Sequence, residues 1–245
     1  MLDIHRHLPL EGELSLPQEW HIWLATSSPS EWKTLQELSH NPLWKHGYGL
    51  SPQWLATNSF TNQELEDYIT QLSEFLQADP AGYIGEFGID DRYIEAFPLT
   101  QQISLTKRLL HLANEKGRPA VMHHVGSMTN LYDILDAHPV TVPVIIHGFL
   151  GSVEVAHELD QRGCYVSFGP RLWMQQTRIG KRMYDIDVPF CLESDFPFIP
   201  GKKASPAAYE IMMRNHYKQI AQLLEVEVEI LEERLDELAS ILAHW

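Results

Sequence analysis

Residues 119–123 read Pro-Ala-Val-Met-His and residues 142–147 read Val-Pro-Val-Ile-Ile-His, two short apolar runs that both close on a histidine. A run of this length, apolar throughout, reads as a strand covered on both faces, as in a parallel sheet. The imidazole is the first polar group after each run, so His123 and His147 stand at strand ends. The same grammar recurs elsewhere. Tyr83–Phe87 carries Glu86, with Gly85 and Gly88 leaving space around it, and reads as a strand ending in a carboxylate. Val188–Glu193 leads to Asp195 just before Phe196-Pro197, where regular pairing stops. Leu2–His5 opens into His5-Arg6-His7, whose period-two alternation sends both imidazoles to one face and Arg6 to the other.

Three further strands, His21–Thr26, Tyr48–Leu50 and Tyr165–Phe168, bring the expected set, with Ala120–His123 and Val142–His147, to eight. Amphipathic segments separate them. In Leu99–Lys116 the residues Ile103, Leu110 and Ala113 share a helical face, and Gly117 then Pro119 close it. Another helix is expected from about Pro206 to Leu224, and Leu231, Leu235, Leu238 and Leu242 mark one more. Alternating strands and helices over 245 residues predict an α/β fold, a TIM-barrel-like (β/α)8 barrel forming one domain over residues 1–245. The loop Pro197–Pro206 is expected to rim a pocket.

A barrel of parallel strands gathers their C-terminal ends on one face. His5, His7, Glu86, His123, His147 and Asp195 would meet there as metal ligands. Imidazole and carboxylate without thiolate suit zinc, manganese or a similar divalent ion, magnesium included. A bridging carboxylate suits two such ions roughly 3.5–4 Å apart. Glu193, two residues before Asp195, is expected to share its face and steady a ligand from behind. His124 should point away from His123, in a loop or behind the ligands. Gly148 and Gly151 lead into the segment Ser152–Gln161, where free amides could receive a phosphate oxygen.

The formal net charge of −15 argues against a broad basic face for duplex DNA, although bound cations can reverse the field locally. Cys164 and Cys191 each sit alone in an apolar run and are expected to be reduced, which favours the cytoplasm. No basic stretch followed by an apolar one opens the chain, and no apolar run nears the ~20 residues of a membrane span. No membrane partner is expected. Trp23, Trp44, Trp54 and Trp173 are assigned to packing.

The ordered set HRH, IGEFGID, PAVMHH, VIIHGFLGS and LESDFPF, with LLHLANEKGRPAVMH before its third member, resembles the TatD family of metal-dependent deoxyribonucleases among the amidohydrolase-like barrels. The likeness runs from Asp3 to about Pro206. It implies that His5, His7, Glu86 and Asp195 hold one metal while Glu86, His123 and His147 hold a second. It further implies hydrolysis of DNA phosphodiester bonds, single-stranded or terminal, by a metal-activated water, with Asp195 as base and Glu86 as its catalytic companion. Three motifs depart from the family: His123-His124-Val125-Gly126 stands where H-S-R-D is usual, and Ser51-Pro52-Gln53 where H-P-H is common. H-C-F-S-G has likewise become His147-Gly148-Phe149-Leu150-Gly151. Arg171, Lys202 and Lys203 are candidate contacts to a DNA backbone or phosphorylated substrate, and a monomer is expected. The alternatives are a hydrolase of a small ester, amide or phosphate on the same two-metal site, and a metal-stabilised scaffold subunit.

Overall fold

Eight strands run in parallel and pair in chain order in the computed structural model, which describes residues 1–8, 16–38, 41–173, 177–197 and 205–245. They are β1 (Leu2–His7), β2 (His21–Ala25), β3 (Trp44–Leu50), β4 (Gly82–Asp90), β5 (Ala120–Val125), β6 (Val144–Ile146), β7 (Cys164–Phe168) and β8 (Phe190–Leu192). The helices between and after them are α1 (Pro29–Gln36), α2 (Pro52–Thr57), α3 (Asn62–Ala78), α4 (Leu99–Lys116), α5 (Met128–Ala137), α6 (Val153–Asp160), α7 (Arg178–Lys181), α8 (Pro206–Leu223) and α9 (Val228–Ala243). Beyond β8 the chain bonds back to β1: the Asp195 amide donates to the His5 carbonyl at 3.0 Å and the His7 amide to the Phe196 carbonyl at 2.8 Å. These bonds draw the sheet into a nearly closed barrel with helices around it, the TIM-barrel architecture.

Local chemistry sets the element ends. Thr61 and Glu64 cap α3 reciprocally, each side chain serving the other's amide. Gly117 ends α4 in the left-handed conformation at φ 60°. Strands β6 and β8 begin later than expected because proline has no amide to give: Pro143 precedes β6 and Pro189 precedes β8. Two others are longer. Trp44, Lys45 and His46 pair with β2 and extend β3 backward. β4 runs on past Glu86 to Asp90, which pairs with Val125, so Glu86 lies inside its strand and does not end it, contrary to expectation.

The barrel and helix layers share one core, which takes in Ile4, Trp23 and Ile84 on the strands and Leu109, Leu131 and Tyr217 on the helices. Trp23 and Trp44 are buried, and Trp54 and Trp173 pack half-buried against the same core. Among the described residues no helix is long and apolar enough to cross a membrane.

Candidate metal centre

Breaks in strand register aim the key side chains inward. The pairing of β4 slips on both flanks of Glu86, between Tyr48 and Leu50 on one neighbour and between Ile84 and Phe87 on the other. A similar slip on β1 lies between Asp3 and Arg6, around His5. Such bulges re-aim side chains, and here they turn Glu86 and His5 into the barrel mouth.

Glu86 is the hub. Its Oε1 lies 2.8 Å from His123 Nδ1 and 2.9 Å from His147 Nε2, and its Oε2 lies 3.5 Å from His7 Nε2. His5 Nε2 approaches His7 Nε2 to 3.1 Å, and its ring stacks on His147 with centroids 4.0 Å apart. Asp195 closes the far side, with Oδ1 3.7 Å from His7 Nε2. Among the described residues two triads have mutually close donor atoms, all within 4.8 Å: His5, Glu86 and His147, and His5, His7 and Asp195. The six expected ligands therefore do converge. His5 belongs to both triads, whereas the family resemblance gave the shared place to Glu86 alone.

Burial dominates the electrostatics. It pushes the His5 imidazole well below its ordinary pKa, helped by His147 and His7, which leaves a neutral ring with a free lone pair. Burial works against the Glu86 carboxylate, but His147 and His123 outweigh it and hold the group ionised, well below the carboxylate range. Burial also opposes a charged His147, yet Glu86 and Glu193 together draw its pKa well upward. Asp195 goes the other way: burial raises its pKa despite His147 and His7. A neutral nitrogen on His5, an ionised oxygen on Glu86 and surroundings that favour positive charge at His147 are what a divalent cation requires. The donor set fits such a group, and the buried His5 Nδ1, without a hydrogen-bond partner, accords with it.

Behind these residues lie their supports. Glu193 is buried, takes a hydrogen bond from Ser167 Oγ, and sets Oε1 3.7 Å from His147 Nδ1. It occupies the steadying place expected of it. Against burial, His147, Ser167 and then the Gly148 backbone hold the Glu193 carboxylate below the usual range. His124 ends up on β5, half-buried, with neither ring nitrogen hydrogen-bonded. Arg171 reaches Asp195 Oδ2 at 3.4 Å with about half its side chain exposed at the mouth. Lys202 and Lys203 lie outside the described residues.

The motif reading missed Asp90. Its Oδ2 lies 2.9 Å from His123 Nε2, and Arg92 grips the same carboxylate through Nε and Nη2. Burial would raise its pKa, but the Arg92 and His123 contacts carry it strongly downward. A carboxylate on the outer nitrogen of a ligating histidine fixes ring and tautomer. The signal was in the sequence: Asp90 stands four residues after Glu86, on the same face of a strand once β4 is allowed to continue.

Comparison with known proteins places this centre. A family model described as TatD related DNase matches residues 18–244, and the chain belongs to that family. Three curated relatives are each described as an uncharacterized metal-dependent hydrolase. One from Methanocaldococcus jannaschii is 28% identical over 60% of this chain and 56% of its own length. YabD of Bacillus subtilis is 26% identical over 67% of this chain and 66% of its own. YjjV of Escherichia coli is 27% identical over 83% and 75%. The matches thus span less than two thirds of the first two relatives. Among solved structures, that of Escherichia coli YjjV, a TatD homolog, superposes with a TM-score of 0.74 at 19% identity, covering 90% of this chain and 85% of the other. A TatD family hydrolase of Entamoeba histolytica gives 0.65 at 14% identity, over 91% and 83%. At these identities the structures speak for the fold alone.

Proposed function

We propose that the chain is a monomeric metal-dependent hydrolase that cleaves phosphodiester bonds of single-stranded or terminal DNA. The observation that carries this reading is Glu86 within 3.5 Å of His7, His123 and His147, with Asp195 facing it across His7. His5, His7, Glu86 and Asp195 on one side, and Glu86, His123 and His147 on the other, would hold the metal; divalent ions there supply Lewis-acid activation of water and of a phosphoryl oxygen. Asp195, whose pKa is raised by burial, suits acceptance of the water's proton. The water oxygen bonds to phosphorus, the ester P–O bond breaks, and the departing sugar oxygen takes a proton. Arg171, beside Asp195, is set to meet the phosphate charge.

A second reading, hydrolysis of a small ester, amide or phosphate, is favoured by His124-Val125-Gly126 and Ser51-Pro52-Gln53, which put no cation at those two places on the rim. Incubation of metal-loaded wild type and Asp195→Asn with 3′-labelled and 5′-labelled single-stranded DNA, in magnesium, manganese or zinc, separates the two. Shortening by wild type alone supports the nuclease. No shortening by a protein with bound metal would transfer the reading to small substrates.

A further inference from the structure

We propose that Arg6 is a positioning residue for the metal centre, its buried guanidinium packed against the Tyr209 and Phe196 rings, which also touch each other with centroids 5.4 Å apart, a three-way clamp that holds Asp195 against His5 and His7. This rests on the metal-centre reading above.

Arg6 sits on β1 between two candidate ligands and points away from both. It is 3% exposed, and Nε and Nη1 have no hydrogen-bond partner. Burying a cation in that state is unfavourable unless something else stabilises it. Here aromatic faces do: its central carbon lies 3.9 Å from the Tyr209 ring centroid and 4.8 Å from that of Phe196. Asp3 is the acid that faces it electrostatically.

What the clamp joins is informative. Phe196 follows Asp195 directly, and Asp195 is one of two described non-glycine residues with positive φ, at 49°. That conformation is unfavourable for a side-chain-bearing residue and persists only where the surroundings enforce it. The surroundings do so on both sides of the residue. The Asp195 amide donates to the His5 carbonyl, and the Phe196 carbonyl accepts from the His7 amide. Ser194 donates its amide to Asp3 Oδ1 at 2.8 Å, its hydroxyl accepts the Phe196 amide at 3.1 Å, and Tyr209 donates to Asp3 Oδ2 at 2.8 Å. Among the described residues, Arg6 packs on both Phe196 and Tyr209 of α8 and stems from the strand carrying His5 and His7. Through it, one contact aligns the whole His5, His7 and Asp195 triad.

The test is Co²⁺ titration of the metal-free protein followed by visible absorption, for wild type, Arg6→Met and Arg6→Lys, with melting curves of the metal-free forms. Arg6→Met should fold, bind Co²⁺ about 10- to 100-fold more weakly, as loss of a supporting contact does, and shift the absorption band. Arg6→Lys, which keeps a charge over the Tyr209 ring, should recover part of the affinity. Unchanged affinity in Arg6→Met, or weaker binding with an unaltered band, overturns the role of Arg6 and leaves the metal centre standing. Failure of wild type to bind Co²⁺ overturns both. Should Arg6→Met not fold, Phe196→Leu removes one wall of the clamp and must show the same weaker binding and altered band; wild-type behaviour there overturns the proposal.

Discussion

Replacing Asp3 by asparagine should stabilise the protein at neutral pH, and by an amount that depends on pH in a defined way. Asp3 is fully buried, and burial raises its pKa from 3.8 to about 6, the bonds from Ser194 and Tyr209 offsetting only part of that. The folded state therefore prefers the protonated acid. Stability from this preference is fully present below pH 3.8 and is lost as the pH rises through 6. Above that, holding an ionised Asp3 costs roughly 3 kcal/mol, the free energy of the shift. Asparagine keeps an oxygen for the Ser194 amide and has no proton to lose. The advantage of Asp3→Asn over wild type should thus be largest at pH 7, up to about 3 kcal/mol. It should shrink by about 1 kcal/mol by pH 5 and fade further toward pH 4. Urea denaturation of the metal-free proteins at pH 7, 6, 5 and 4 measures this, because every other titrating group cancels in the difference between the two. A difference constant across pH 7 to 5, or one that grows on acidification, would refute the reasoning.

Three other perturbations bear on the site. Asp90→Asn removes the charge that fixes the His123 ring and should weaken zinc binding about 10- to 100-fold in a calorimetric titration; equal affinity would show that the contact is idle. Gly88 has φ 146°, and a Cβ there would press into the His123 carbonyl, so Gly88→Ala should destabilise by at least about 3 kcal/mol in urea denaturation. Chelation should lower the melting temperature: metal at 100 times its dissociation constant contributes ~2.7 kcal/mol, or about 5–10 °C for a chain of this size, and a melting curve unmoved by full metal removal would contradict a folded-state metal site.

Much of this centre is legible in one dimension because parallel strands convert sequence grammar into place. His123 and His147 follow apolar runs, and those runs become adjacent strands whose ends abut. What was lost depended on pairing. Glu86 reads as a strand end because glycines flank it, yet register slips on both neighbours let β4 continue and bring Asp90 to His123. The support of Arg6 by Tyr209 was equally out of reach, since it joins the first strand to a helix after the last. Prolines trimmed β6 and β8 for a local reason that the sequence did show, the missing amide. The grouping of the donor atoms differs too: proximity of His5 to His147 through ring stacking is a matter of barrel geometry, and motif order carries no trace of it.

The bond from the Asp195 amide to the His5 carbonyl ties the last strand's end to the first strand. A ribosome releases His5 and His7 early, but their third partner, Asp195, comes about 190 residues later, so the complete triad cannot form until synthesis has run past β8. Contacts between such distant positions close slowly, and closure here is the step that finishes the barrel. Ion capture by this triad would therefore serve as a timer on maturation, reporting that synthesis has run past β8 and that the two ends of the fold have met.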